Sequence, residues 1–247
     1  MLPSPSDPEF VLDDLLRGSV ILIDKPTGWT SFDVVNKIKW FAKHQLGLPP
    51  FKIGHAGTLD PLATGLLIVC TGKGTKLISG IQGGEKEYEA TLTFGRTTKS
   101  FDLETAPEGD YPTAHLSAEY LAGVLASFVG EQWQQPPVFS AKQINGQRAY
   151  HAARNGETPD LPPAHITIHG MEMMQFADHE LTFRVKCSKG TYIRSLAHDI
   201  GIRAGSGAYL KALRRTTSLP YSVETAIEPL QLLEKLKVLH APAQSID

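Results

Sequence analysis

Residues Gly54 to Cys70 read GHAGTLDPLATGLLIVC, and the reading of the whole chain turns on them. The first half is turn chemistry: Gly54 and Gly57 permit a tight backbone path or a close approach to a ligand, and Pro61 holds Asp60 in an extended conformation. The second half, Thr64 to Cys70, is a short apolar run of the kind that forms a buried strand. A carboxylate is thus carried on an irregular loop that feeds straight into the core. Upstream, Ser19 to Asp24 reads as a strand closed by Lys25-Pro26-Thr27-Gly28. Ser31 reads as an N-cap with Asp33 in the first turn, and Val34, Val35, Ile38, Phe41 and Ala42 follow at helical spacing to about Leu46. Gly47 to Asp60 reads as loop. Downstream, Thr75 to Ile81 reads as a short helix, and Glu85 to Phe94 alternates with period two.

The same logic predicts a helix over 116–129 and a hairpin over 139–150 around Asn145-Gly146. A short helix over 148–154, a polar loop to Pro163, and strands over 166–176 and 180–187 follow. A helix over 191–204, a strand or mixed segment over 208–219 and a closing helix over 223–237 complete the chain. Strands and helices are interspersed without steady βαβ alternation, which predicts an α+β fold around one mixed, mostly antiparallel sheet.

Composition narrows the class. The chain has 247 residues, 41% of them apolar and 20% charged, which is ample for a hydrophobic core. No apolar run approaches a membrane span, and the acidic start MLPSPSDPEFVLDDLL is unlike a signal peptide, so a cytoplasmic location is expected. Cys70 and Cys187 alone cannot build a disulfide scaffold or a Cys-rich zinc site, and the nine histidines form no metal pattern, so no metal or other cofactor is expected. The net charge of −2 argues at face value against a nucleic-acid partner. Its distribution argues the other way. From Val34 to Gly84 there are six lysines and one acid, Asp60; from Leu181 to Val223 there are eight Lys or Arg residues and one acid, Asp199. A near-neutral total therefore conceals basic segments, which are either solvated faces or a phosphate-binding surface.

Two segments offer chemistry. Asp60, the lone acid of its basic stretch, should stay ionised beside any cation and can serve as nucleophile or general base; an Asp-Pro in a loop is also an ordinary turn. Cys187 to Arg194 (CSKGTYIR) runs from a strand through a turn into a helix N-terminus, where free N–H groups favour an anion. It presents Tyr192 and Arg194, although Tyr192 can equally be a core aromatic. Lys86 and Tyr88 share one strand face, a cation beside an aromatic that can stack a base. Leu213-Arg214-Arg215-Thr216 reads alone as a basic surface patch beside an apolar anchor. Gly72-Lys73-Gly74-Thr75-Lys76 lacks the residue order of a phosphate loop.

Taken together, these segments resemble the TruB family of tRNA pseudouridine synthases. The matches run in family order over residues 18–220: DKPTGWTS from Asp24, GHAGTLDPLATGLL from Gly54, Lys86-Glu87-Tyr88, and FGRTTKSFD from Phe94. PPVFSAKQINGQRAY from Pro136, CSKGTYIRSL from Cys187 and Leu213-Arg214-Arg215-Thr216 follow. The resemblance implies the pseudouridine synthase fold and conversion of uridine 55, in the T-loop of tRNA, to pseudouridine without cofactor or metal. It implies Asp60 as catalytic nucleophile and His55 as the residue that helps hold the base flipped out. It further implies Tyr88 stacked on the target uracil, Tyr192 and Leu213 as other walls of the pocket, and Arg194 paired with the aspartate. Lys86 is a weaker match. Extruding the base costs a few kcal/mol, of which stacking returns about 1–3. The aspartate's route, by attack on the sugar, addition to the base or removal of a sugar proton, stays open.

Departures from the family pattern are Ser100 and Thr105, where Thr and Gly are more usual, and a short C-terminus. The expected organisation is an acidic, Pro-rich and loose extension over 1–17, a catalytic domain over 18–222, and a helix and tail over 223–247 without a separate RNA-binding domain. A monomer that binds the tRNA T-arm, and no membrane, is expected. A tRNA-binding or folding module with little catalysis is the alternative, and a nucleoside or glycoside hydrolase a third; the latter would need a second placed acid and would release free uracil.

Overall fold

The computed structural model describes residues 2–139 and 161–241, with the strand pairs 143–144 and 147–148 between them. The chain begins with α1 (Leu12–Arg17), β1 (Val20–Lys25), α2 (Ser31–His44), β2 (Ile53–Ala56), β3 (Thr64–Thr71), a 3-10 helix over Gly72–Leu77 and α3 (Ile78–Gln82). Next come β4 (Lys86–Phe94), α4 (Ala118–Ala126), β5 (Gly130–Gln134), β6 (Gln143–Ile144), β7 (Gln147–Arg148), β8 (Ala164–Ala177), β9 (Glu180–Cys187) and α5 (Ile193–Arg203). β10 (Ala208–Ser218), β11 (Tyr221–Ser222), a 3-10 turn over Val223–Thr225 and α6 (Pro229–His240) end it. Two compact units result, one from residues 1–84 and 214–247 and the other from 85–213, with β10 running through the boundary.

In the first unit β3 is the central strand. It pairs antiparallel with β1 (Val20 opposite Cys70) and with β2 (Ile53 opposite Thr71), and parallel with β10, Arg215 lying opposite Gly65. Both faces of β3 are buried, which is why TGLLIVC shows no alternation. One face packs Leu66, Ile68 and Cys70 with Val20 and Ala56. α2 buries Val34, Val35, Ile38 and Ala42, the expected helical stripe, and packs on β2 and the C-terminal helix. Leu12–Arg17, expected in a loose extension, forms a helix instead: Phe10 and Leu15 are buried, and Val20 N–H donates to the Pro3 carbonyl at 3.2 Å. β2 lies within the expected loop, and the closing helix runs from Pro229 to His240 after a 3-10 turn rather than from Val223.

In the second unit the strand order is β10–β4–β9–β8–β5, with β9 antiparallel to both β4 and β8 and β5 antiparallel to β8. β4 alternates as expected: Lys86, Tyr88, Ala90, Leu92 and Phe94 are buried while their neighbours are half-exposed. α5 packs on β4, and α4 packs on β8 and α5. β6 pairs antiparallel with β7 across two residues, in keeping with the expected hairpin; Asn145 and Gly146 themselves, and the expected helix beyond Arg148, lie outside the described residues. Mostly antiparallel pairing with helices set among the strands makes this an α+β fold.

Candidate active site

Asp60 is held by its backbone. It sits half-buried between β2 and β3, where the Ala63 N–H donates to its carbonyl at 3.1 Å and the Gly28 N–H donates to the Pro61 carbonyl at 2.8 Å. Ser31 does not cap α2. Thr30 does, its hydroxyl accepting from Asp33 N–H at 3.0 Å while the Asp33 carboxylate accepts from Thr30 N–H at 2.8 Å. The buried Ser31 hydroxyl instead accepts from Leu59 N–H at 2.8 Å and donates to the Leu59 carbonyl at 3.1 Å. The residue preceding Asp60 is thereby pinned to the helix start.

Two buried cations brace the same loop. Lys25 is fully buried and donates through Nζ to the carbonyls of Pro26 (2.9 Å), Trp29 (2.6 Å) and Pro61 (3.4 Å). Burial pushes its pKa down to about 8; Arg215 pushes the same way, and the Asp60 and Asp33 carboxylates oppose it. Arg215, 2% exposed, donates through Nε to the Leu66 carbonyl at 2.7 Å and through Nη2 to the Gly57 carbonyl at 3.1 Å. The sequence predicted a basic surface patch at Arg214-Arg215, and neither residue behaves so. Arg214 makes a bidentate pair with Asp24 at 3.0 and 2.7 Å, and Arg215 is an internal strut. Gly57 has φ +95°, a conformation that L side chains rarely adopt, where the loop runs over the Arg215 guanidinium.

His55 lies on β2 opposite Val69, half-buried. Burial, helped by the Arg215 charge, lowers its imidazole pKa against a small opposing pull from the Gly57 backbone, so the ring is neutral at pH 7. Among the described residues its buried Nδ1 has no well-aligned hydrogen-bond partner. The first unit therefore brings Asp60, His55, Lys25, Ser31 and Arg215 together: a carboxylate on a braced loop, in the field of a buried cation, with a neutral ring nearby in sequence.

The remaining expected residues belong to the second unit. Tyr88 and Lys86 are buried on β4, opposite Val185 and Cys187. Tyr192 immediately precedes α5, its backbone clasped by the buried amide of Gln134, which accepts from Tyr192 N–H at 2.8 Å and donates to its carbonyl at 3.0 Å. The N–H of Tyr192 is thus committed to the protein. Leu213 is half-buried on β10. Arg194, 5% exposed, donates to the carbonyls of Ser100 (3.3 Å) and Phe139 (2.8 Å), and its Nε lies 3.7 Å from the Asp102 carboxylate. Ser100 and Thr105, the two departures from the family pattern, bond to each other: hydroxyl to hydroxyl at 2.9 Å, with each backbone N–H donating to the other's hydroxyl. One substitution answers the other, and the pair shapes the turn that holds Arg194.

Sequence reasoning missed the roles of Lys25, Ser31, Gln134, Asp102 and Arg215. Lys25, Asp102 and Arg215 stood inside quoted motifs, so their presence was visible but their burial was not; Gln134 carried no signal. Among the described residues no group of three or more His, Cys, Asp or Glu could hold a metal ion, and no helix is long and apolar enough to cross a membrane.

Residues 43–193 match the family model for the TruB family pseudouridylate synthase, N terminal domain. The chain is 49% identical over 226 residues to the tRNA pseudouridine synthase B of Flavobacterium johnsoniae, covering 91% of this chain and 99% of that one. It is 51% identical over 200 residues to that of Phocaeicola vulgatus, covering 81% and 85%. Among solved structures it is similar to a chain of a Cbf5-Nop10-Gar1 complex, with a TM-score of 0.67 at 29% identity over 94% of this chain and 64% of that one. It is also similar to a chain of an H/ACA RNP bound to a substrate RNA containing 2′-deoxyuridine, with a TM-score of 0.65 at 28% identity over 92% and 58%.

Proposed function

The chain belongs to the TruB family of pseudouridylate synthases, and from that premise we propose that it is a tRNA pseudouridine synthase that isomerises uridine 55 of the T-loop, with Asp60 as nucleophile. The observation that carries the proposal is the Asp60 loop, whose backbone is pinned by Ser31 at Leu59 and braced by two buried cations, Lys25 at Pro61 and Arg215 at Gly57. Isomerisation breaks the bond from the ribose to N1 of uracil, turns the base, and joins the same ribose carbon to C5, whose proton is lost as N1 gains one. Atoms and electrons balance without a co-reactant, so a carboxylate in a prepared electrostatic setting suffices.

The other roles follow from the base having to leave its stack. Neutral His55 fills the gap without carrying a charge into it. Tyr88 stacks on the flipped uracil, Tyr192 and Leu213 wall the pocket, and Arg194 pairs with Asp60 and keeps it ionised. The protein works on the T-arm of tRNA as a monomer in the cytoplasm.

The test is incubation of wild-type protein with an unmodified tRNA transcript, without added metal or cofactor, followed by mapping of pseudouridine through carbodiimide-dependent reverse-transcription stops. One new stop, at uridine 55, supports the proposal. Retained tRNA binding without any stop favours a binding module, and free uracil favours a hydrolase.

A further inference from the structure

A groove lies next to the Asp60 loop in the same unit, and nothing in the reaction above uses it. Its volume is about 610 Å³, and it is lined by Gly28, Trp29, Asp33, Asn36, Lys37 and Trp40. Two of the chain's three tryptophans are here. Trp40 is 51% exposed, and Phe32 on the same helix is 64% exposed. Exposed tryptophan is costly to leave in water and common where a ligand covers it. The groove is also cationic along one side. Lys37 Nζ stands 6.0 Å from the Trp40 ring centre, and His44 packs on that ring with centroids 5.3 Å apart. Lys37 and Lys43 are exposed and form no salt bridge among the described residues.

The groove borders the Asp60 loop. Gly28, one of its walls, donates its N–H to the Pro61 carbonyl directly after Asp60, and Lys25 bridges the carbonyls of Trp29 and Pro61. A wall of the groove and the Asp60 loop are thus tied to each other by hydrogen bonds. An aromatic plane with an adjoining ammonium is the pattern that binds an unpaired nucleotide, base on ring and phosphate on cation. Asp33 sets the polarity. Its carboxylate is held ionised by hydrogen bonds from Thr30, which keeps phosphate away from that wall and leaves it to Lys37.

We propose that this groove is a second RNA-binding site, in which an unpaired nucleotide of the substrate near the one at Asp60 stacks its base on Trp40 and sets its phosphate by Lys37. The assignment rests on the protein acting on RNA, and it adds a subsite that the chemistry itself does not require. It explains why α2, whose buried stripe is complete at Val34, Val35, Ile38 and Ala42, carries Trp40 on its outer side.

The experiment is fluorescence-anisotropy titration of a labelled, unmodified tRNA transcript with Asp60→Asn protein, which keeps the RNA unreacted, and with the same protein carrying Trp40→Ala, Trp40→Phe or Lys37→Gln. Thermal melts check that each variant is folded. The expected result is a Kd about tenfold weaker for Trp40→Ala, corresponding to about 1.4 kcal/mol, within the usual worth of one stacked base. Trp40→Phe should recover most of the loss. Lys37→Gln should weaken binding and reduce the slope of log affinity against log salt by about 0.7–0.9, one phosphate contact. Unchanged Kd and salt slope in Trp40→Ala and Lys37→Gln would overturn the proposal and leave the groove to a protein partner. The two readings separate cleanly. Pseudouridine formed by wild type with no effect of these variants on binding sinks the groove alone, whereas weakened binding by the variants when wild type forms no pseudouridine sinks the chemistry alone.

Discussion

Ser31 shows what a single hydroxyl can do when a better cap stands beside it. Thr30 satisfies the α2 N-terminus, so Ser31 is free to hold both backbone groups of Leu59, the residue before Asp60. Ser31→Ala strands a buried N–H and should cost about 1–3 kcal/mol in urea unfolding. Turnover should fall by more than tRNA affinity, because the carboxylate loses its anchor while the basic segments are untouched. Lys25 gives a pH signature. Its pKa is pushed down to about 8 in the folded protein, mainly by burial, from an ordinary value of 10.5. Between those limits the unfolded chain binds more protons, so the Lys25 contribution to stability rises with pH across that window. Unfolding free energies of wild type and Lys25→Met, taken at about pH 7.5 and 9.5, should diverge in favour of wild type at the higher pH; a parallel pair of curves would contradict the burial argument. Neither role could be read from the sequence, where Ser31 reads as the N-cap and Lys25 as part of a turn.

Among the elements, those with a strong period were legible and those made by pairing alone were not. EKEYEATLTF gave β4 because one face of that strand is buried and the other half-exposed. β2 reads as loop because its four residues, Ile53 to Ala56, have no period of their own and exist as a strand only through β3. The β3–β10 pair is the most demanding of these contacts. Gly65 adopts φ +94°, and a Cβ there would stand 2.3 Å from the Arg215 carbonyl oxygen. Gly65→Ala should therefore cost at least about 1–3 kcal/mol in backbone strain, with the clash in addition, and displace Arg215 from the Gly57 and Leu66 carbonyls. A large drop in melting temperature together with lost turnover is expected; a variant as stable as wild type would show that this register is wrong. The candidate site was legible to the extent that motifs carry it. Asp60, His55, Tyr88, Tyr192, Arg194 and Leu213 were all named from such segments, while Gln134, which clasps Tyr192 from β5, is distant in sequence and chemically bland.

For the whole molecule, net charge is the misleading quantity. The total of −2 coexists with two long segments that each hold a single acid among many cations, one segment lying mainly in each unit. RNA affinity is set by local fields. In the second segment Arg184, Lys186, Lys211 and Arg214 are paired with carboxylates, and Arg194 and Arg215 are buried. The exposed lysines of the first segment therefore carry the prediction that tRNA binding weakens by more than about tenfold between 50 and 200 mM salt. Anisotropy titrations at the two concentrations check this, and a flat response would remove that segment from the interface. The central claim, that a braced carboxylate does the chemistry, is tested most directly by Asp60→Asn. The amide keeps the shape of the side chain and abolishes its nucleophilicity. Single-turnover formation of pseudouridine at uridine 55 should fall by a factor on the order of 10⁴ or more, while tRNA affinity stays within a few-fold of wild type. Near-normal turnover by Asp60→Asn would contradict the account at its root.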